Sequence, residues 1–323
     1  MSHPSSKSRL LGVLALLAAF GQWALAQVPN TVASNEVANY LRVDANDKFK
    51  DLRPGLTAGA QSFDFSNNLI YFTAVADGKR GNFILDTGAP EVLINDRGLA
   101  SRGSAPVGIA AGGEVSLADH FIKSFVFTGK EHRKMWAYSL DLRPLETRIG
   151  KEVDGFVGYN LLGDSELRID YFARTFQLVA SEKRPVHFGR QPDHEVAFSM
   201  VGHLPVVTVK LGKQKLRLAL DTGASVSLID ASVAQTKPSG SKMNIQGLDG
   251  EAFVANLVNL DGNADLPQLE NLEFASFEVT QQSASRSGKD IHGILGSDYL
   301  SKFVIGIDYR RRRLYLWNPS LSK

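Results

Sequence analysis

One short formula occurs twice in this chain: an apolar run closed by Asp-Thr-Gly-Ala. Phe83-Ile84-Leu85-Asp86-Thr87-Gly88-Ala89 is answered by Leu218-Ala219-Leu220-Asp221-Thr222-Gly223-Ala224. An acid set directly behind a buried-strand pattern costs free energy unless a partner or a reaction offsets it. Two such acids in matching contexts point to a pair of carboxylates meeting at one site. The chain must then fold as two similar halves that bring their acid loops together.

The repeat runs well beyond these words. Leu69 lies 17 residues before Asp86, and Leu204 lies 17 before Asp221. Each opens an apolar stretch broken by a Gly-Lys turn, Gly78-Lys79 and Gly212-Lys213. Both halves therefore read strand, turn, strand, acid. Downstream, Gly155-Phe156-Val157-Gly158 corresponds to Gly293-Ile294-Leu295-Gly296, and Ile169-Asp170-Tyr171 to Ile307-Asp308-Tyr309. From 155–178 to 293–316 the offset holds at 138 (293−155), with 8 of 24 aligned positions identical. Between the acids it is 135 (221−86), so the halves differ by three residues inside loops. This is the pattern of a duplicated domain and not of a solenoid.

A length of 323 residues fits one large or two ordinary domains, and 43% hydrophobic with 22% charged residues fits a folded globular chain. Short runs rich in Val, Ile, Leu, Phe and Tyr recur between Gly, Asn and Asp clusters, as in Val206-Val207-Thr208-Val209. The expected fold is mostly β: two homologous β-barrel lobes with a cleft between them and few, short helices. One helix in each half is expected behind the second Gly motif, at 159–162 and 297–300. The boundaries read as a first lobe at 63–182, a linker at 183–200 centred on the Pro- and Gly-containing 185–192, a second lobe at 201–318 and a tail at 319–323. Residues 27–62 read as an N-terminal arm or a pro-segment.

Lys7 and Arg9, the apolar run 10–20 and Ala24-Leu25-Ala26 make the n-region, h-region and A-x-A site of a secretory signal at 1–26. The expected mature chain begins near Gln27 and is exported, periplasmic or secreted. The apolar run is shorter than the roughly 20 residues a spanning helix needs, so no stable membrane span is expected once the signal is removed. Removing 1–26 takes the formal charge from +2 to 0, which leaves no basic footprint for nucleic acid. The chain has no cysteine, which excludes a thiol nucleophile, thiolate metal ligands and a disulfide framework.

Two carboxylates a few Å apart cannot both ionise cheaply, so they share a proton and titrate as a pair. One then acts as a base on a water held between them while the other polarises a carbonyl. Thr87 and Thr222 can brace one acid loop against the other. Gly88 and Gly223 permit a tight turn and close approach, and Ala89 and Ala224 keep the loop compact. Neither a metal nor an organic cofactor is required.

On these residues the chain resembles the retropepsin-like and pepsin-clan aspartic peptidases, in the form that carries both Asp-Thr-Gly lobes in a single polypeptide of bacterial exported type. The resemblance covers roughly 63–318. It implies an aspartic endopeptidase with Asp86 and Asp221 as catalytic pair, working as a monomer on an extended peptide or protein. The apolar-apolar-Gly signals of the family match Phe156-Val157-Gly158 and Ile294-Leu295-Gly296, which in the family pack beneath the acid loops. It also implies Gly-rich hairpin flaps, matched by 107–113, with Gly108, Gly112 and Gly113, and by 245–250, with Gly247 and Gly250. Neither stretch holds a tyrosine, so a two-flap arrangement fits better than the single tyrosine-bearing flap of pepsins. Where pepsins often place Ser or Thr after Asp-Thr-Gly, Ala89 and Ala224 offer no hydroxyl, and a mildly acidic to near-neutral optimum follows. A catalytically silent peptide-binding module with the same fold is the alternative.

Other residues carry less. Asp170 and Asp308 repeat, but each sits between a strand and a turn and reads as a hairpin residue. The seven histidines show no metal-ligand spacing. Ser165, Ser199 and Ser227 lack a nucleophile-elbow context. The Arg310–Arg313 run reads as a solvated turn, and Trp136 and Tyr138 as core or sheet-face packing.

Overall fold

The computed structural model describes residues 13–14, 17–20, 59–99, 106–110, 113–230, 232, 236–248, 252–277 and 291–319. Among these the chain is mostly β, with three short α-helices and one 3-10 turn. Leu69–Ala76 shows why the sequence around the first acid lacks a period of two. Ile70 and Phe72 join one core while Leu69 and Tyr71 join another on the opposite face. The next strand, Lys79–Leu85, does the same, with Phe83 and Leu85 on one side and Ile84 on the other. A strand buried on both faces reads as a continuous apolar run. It also delivers Asp86 from a rigid support.

These strands belong to a six-stranded barrel. Its order is Ala118–Phe127, Lys130–Leu140, Leu93–Asn95, Gly155–Val157, Lys79–Leu85 and Leu69–Ala76. Pairing of Phe125 with Ala76 and Val126 with Val75 closes the ring, which leaves no free edge among these six strands. A second set follows the same succession: Ala252–Leu260, Glu273–Phe277, Leu228–Asp230, Gly293–Leu295, Gln214–Leu220 and Leu204–Leu211. Here, among the described residues, the two ends of the set meet only near the isolated bridge Leu211–Ala264. Leu204 and Val206 again face one core, Val207 and Val209 another.

A third group of strands joins the two sets, in the order His194–Val201, Arg313–Trp317, Val304–Asp308, Glu166–Asp170, Thr175–Val179 and Gln61–Ser62. His194–Val201 passes from one sheet to the other, pairing first with Arg313–Trp317 and then with Leu204–Leu211. At the centre Glu166–Asp170 runs antiparallel to Val304–Asp308 with Arg168 opposite Gly306. These two positions are 138 apart (306−168), so counterparts in the sequence repeat face each other, as an approximate two-fold axis through that pair would place them. The buried Arg168 guanidinium holds the buried Glu166 carboxylate at 2.7 and 2.9 Å and lies 5.2 Å from the Trp317 ring.

The short helices Tyr159–Leu162 and Ser297–Leu300 sit where the Gly motifs place them. A third, Arg143–Ile149, was not expected, although Pro144 opens it and Gly150 closes it in the left-handed region at φ 65°. The 185–192 segment is tied down: Val186 accepts from Arg168 at 2.8 Å, His187 meets Asp170 at 3.2 Å, and His187 pairs with Arg190 across a turn. Asp170 Oδ1 accepts from the backbone of Phe172 and Ala173, and Asp308 Oδ1 from Arg311, the turn roles read from the sequence. Trp136 is not core: it is 43% exposed on its sheet face, edge-on to Phe121 at 5.2 Å.

Two stretches near the N-terminus are strands as well. Val13–Leu14 pairs in parallel with Pro106–Ala110, and Leu17–Phe20 pairs antiparallel with Thr236–Gly247. Pro106–Ala110 forms a hairpin with Gly113–Ser116, and Thr236–Gly247 pairs with Ala252–Leu260. Gly108, Gly113 and Gly247 lie in these strands, whereas Gly112 and Gly250 lie outside the described residues.

Candidate active site

Each acid follows the last residue of a strand locked between neighbours. Lys79–Leu85 pairs in parallel with Gly155–Val157, and Gln214–Leu220 with Gly293–Leu295. The pairing continues one step into each loop: Asp86 N donates to Val157 O and Asp221 N to Leu295 O, both at 3.0 Å. The loops turn back at once, with Ala89 N reaching Asp86 O and Ala224 N reaching Asp221 O at 3.3 Å. Beneath them Gly158 and Gly296 are in close contact with backbone. A Cβ on Gly158 would fall 2.5 Å from Ala89 O, and one on Gly296 2.7 Å from Ala224 O. No side chain fits in either place, which is the physical content of the second Gly signal.

The threonines cross between the loops. Thr87 Oγ1 donates to Leu220 O at 3.0 Å and accepts from Thr222 N at 3.0 Å. Thr222 Oγ1 donates to Leu85 O at 2.8 Å and accepts from Thr87 N at 3.0 Å. All four bonds are buried and reciprocal, so the loops cannot shift separately without stranding backbone groups.

This brace brings Asp86 and Asp221 together. Asp86 Oδ1 accepts from Gly88 N at 2.8 Å and Ala89 N at 3.0 Å, and Asp221 Oδ1 accepts from Gly223 N at 2.8 Å. The Asp221 carboxylate lies against Gly88, where a Cβ would meet its Oδ2 at 2.5 Å. Oδ2 of each acid is buried, and apart from the other acid no donor among the described residues reaches it. Burial pushes both carboxyls well above the ordinary range, and the charge of Asp86 raises Asp221 further, against the backbone bonds that favour ionisation. Both shifts favour a protonated carboxyl at pH values where an isolated aspartate is ionised. Burial above all, with Tyr159 and then the two acids behind it, raises the Tyr309 phenol and keeps it protonated.

Two supports were not visible in the sequence reading. On the Asp221 side, buried Ser227 donates from Oγ to Asp298 Oδ1 at 2.6 Å and accepts from Gly296 N at 3.0 Å. The corresponding positions of the first half hold Val92 and Asn160, so nothing in the repeat marks the pair. The other support joins the strand sets: Asn68 Nδ2 donates to Ser225 O at 3.0 Å and His203 Nε2 lies 2.7 Å from Gly88 O. Asn68 and His203 are separated by 135, the spacing of the acids themselves, and that equality was the available signal. Among the described residues no group of three or more His, Cys, Asp and Glu is placed to hold a metal ion.

Residues 207–299 match the family model described as aspartyl protease. The match spans Asp221-Thr222-Gly223-Ala224 and Ile294-Leu295-Gly296, and it supports a general aspartic protease function. A search of curated proteins finds none that matches the chain.

Proposed function

We propose that the chain is an aspartic endopeptidase whose two lobes each supply one catalytic carboxylate, Asp86 and Asp221. The observation that carries the reading is the buried, threonine-braced meeting of two acids whose Oδ2 atoms have no partner but each other. A water bound between them gives one proton to the ionised carboxylate as its oxygen attacks the peptide carbonyl carbon. The protonated carboxyl gives its proton to the carbonyl oxygen, forming a neutral gem-diol. The C–N bond then breaks as one carboxyl protonates the amine nitrogen and a gem-diol hydroxyl returns its proton to the other. Proton sharing is thus restored at the end of each cycle.

Burial keeps the shared proton on the pair at higher pH than an ordinary carboxylate would hold it, which favours a mildly acidic to near-neutral optimum. The substrate in this reading is an extended peptide between the hairpin of Pro106–Ala110 and the hairpin of Thr236–Gly247. In this reading the peptide is captured by main-chain hydrogen bonds to the strands of these hairpins, with side-chain pockets giving specificity. The basic, apolar and A-x-A succession at the N-terminus supports an exported enzyme.

Cleavage-site profiling on a peptide library tests the proposal. Internal cuts that vanish with a transition-state-mimicking aspartic-peptidase inhibitor are expected. Tight inhibitor binding without any cut would favour the silent peptide-binding alternative.

A further inference from the structure

The turn Gly202-His203 lies at the mouth of the hairpin formed by His194–Val201 and Leu204–Leu211, yet its histidine contacts the loop of the other strand set. A carbonyl only accepts, so at 2.7 Å from Gly88 O the Nε2 atom carries the hydrogen. The Gly88 carbonyl and the Ala89 N–H belong to one rigid peptide unit. That N–H is one of the two donors that orient Asp86 Oδ1, at 3.0 Å. His203 therefore holds one end of a peptide plane whose other end fixes a carboxylate. In the opposite direction Asn68 grips Ser225 O, one residue past the Asp221-Thr222-Gly223-Ala224 loop.

We propose that His203 is a positioning residue for the dyad, acting as a neutral Nε2–H donor that locks the Gly88–Ala89 peptide and, through it, the Asp86 carboxylate. Burial pushes the imidazole below its ordinary range, which keeps it in that neutral form near pH 7. The role rests on the peptidase reading, because positioning has its effect on turnover. Gly202 and Asn67, the neighbours of the two gripping residues, both take positive φ, 61° and 52°. Each grip thus comes from a tight turn.

The test compares His203→Ala and His203→Gln with the native chain. Glutamine places an amide donor where Nε2 stood and cannot titrate. His203→Ala is expected to lower kcat about tenfold with KM changed less than about threefold, the loss of one oriented hydrogen bond. His203→Gln is expected to return kcat to within about threefold of native. An unchanged kcat in His203→Ala would overturn the proposal, and so would a His203→Gln chain of native melting temperature that is as slow as His203→Ala. A long-range 1H–15N spectrum of the native chain at pH 7 gives a readout free of turnover. It is expected to show the Nε2–H tautomer of His203, and the Nδ1–H tautomer would refute the donor role. A native chain that cuts no peptide would defeat the peptidase reading, while the spectrum would still judge the histidine.

Discussion

Asp86 and Asp221 are costly residues for the fold that holds them. Their folded carboxyls sit above the ordinary aspartate range because burial disfavours the charge, and the charge of Asp86 raises Asp221 further. A carboxyl raised on folding binds its proton more tightly in the native state, so the native state loses relative stability as pH rises from the ordinary range through the raised one. Urea unfolding at pH 4.5 and pH 7 measures this. The native chain is expected to lose stability across that interval relative to Asp221→Asn, whose amide has no proton to lose. The difference should reach at least about 1 kcal/mol, the equivalent of less than one pKa unit. Equal pH dependence in the two chains would contradict it. Such a penalty fits the general trade between stability and an electrostatically strained site.

The same residues were legible in the sequence for a related reason. An acid abutting strands buried on both faces, as Leu85 and Leu220 are, has no bland packing role, and its repetition at 135 names a partner. His203 gave no such sign on its own. Its contact spans 115 residues and joins a turn to a loop, so neither helical nor strand periodicity records it.

At the level of elements, the crossed threonines turn two loops into one unit. Thr87→Val would strand Thr222 N and Leu220 O in a buried setting, and Thr222→Val would strand Thr87 N and Leu85 O. Each single change is expected to cost about 2–4 kcal/mol in denaturant unfolding, with two unsatisfied buried groups apiece. The double variant should cost less than the sum by about 1 kcal/mol or more, since loops already parted by one change lose less with the second. Strict additivity would show that the loops are held apart from each other by their own strands. The helices at 159–162 and 297–300 were readable because each follows a glycine in close contact with the loop above it. The Arg143–Ile149 helix was missed although its Pro and Gly ends are ordinary signals, because its seven residues are too few to show a helical period.

The whole molecule is what brings the two acid loops together. A closed barrel and a second strand set of the same succession each present a loop, and the strands Glu166–Asp170 and Val304–Asp308 bind them back to back. The 138 offset read in the sequence is also the separation of Arg168 and Gly306, which pair across the two central strands. What spacing could not supply was the asymmetry, such as Ser227 with Asp298 on one side and His203 against Asn68 between the two. The most direct measurement of the central claim is hydrolysis of a cleavable library peptide by Asp86→Asn and Asp221→Asn, each checked for native melting behaviour. A dyad split between the two halves predicts that either change alone lowers kcat by about a thousandfold or more, and that adding the second lowers it little further. Native-like cleavage by either single variant would contradict it.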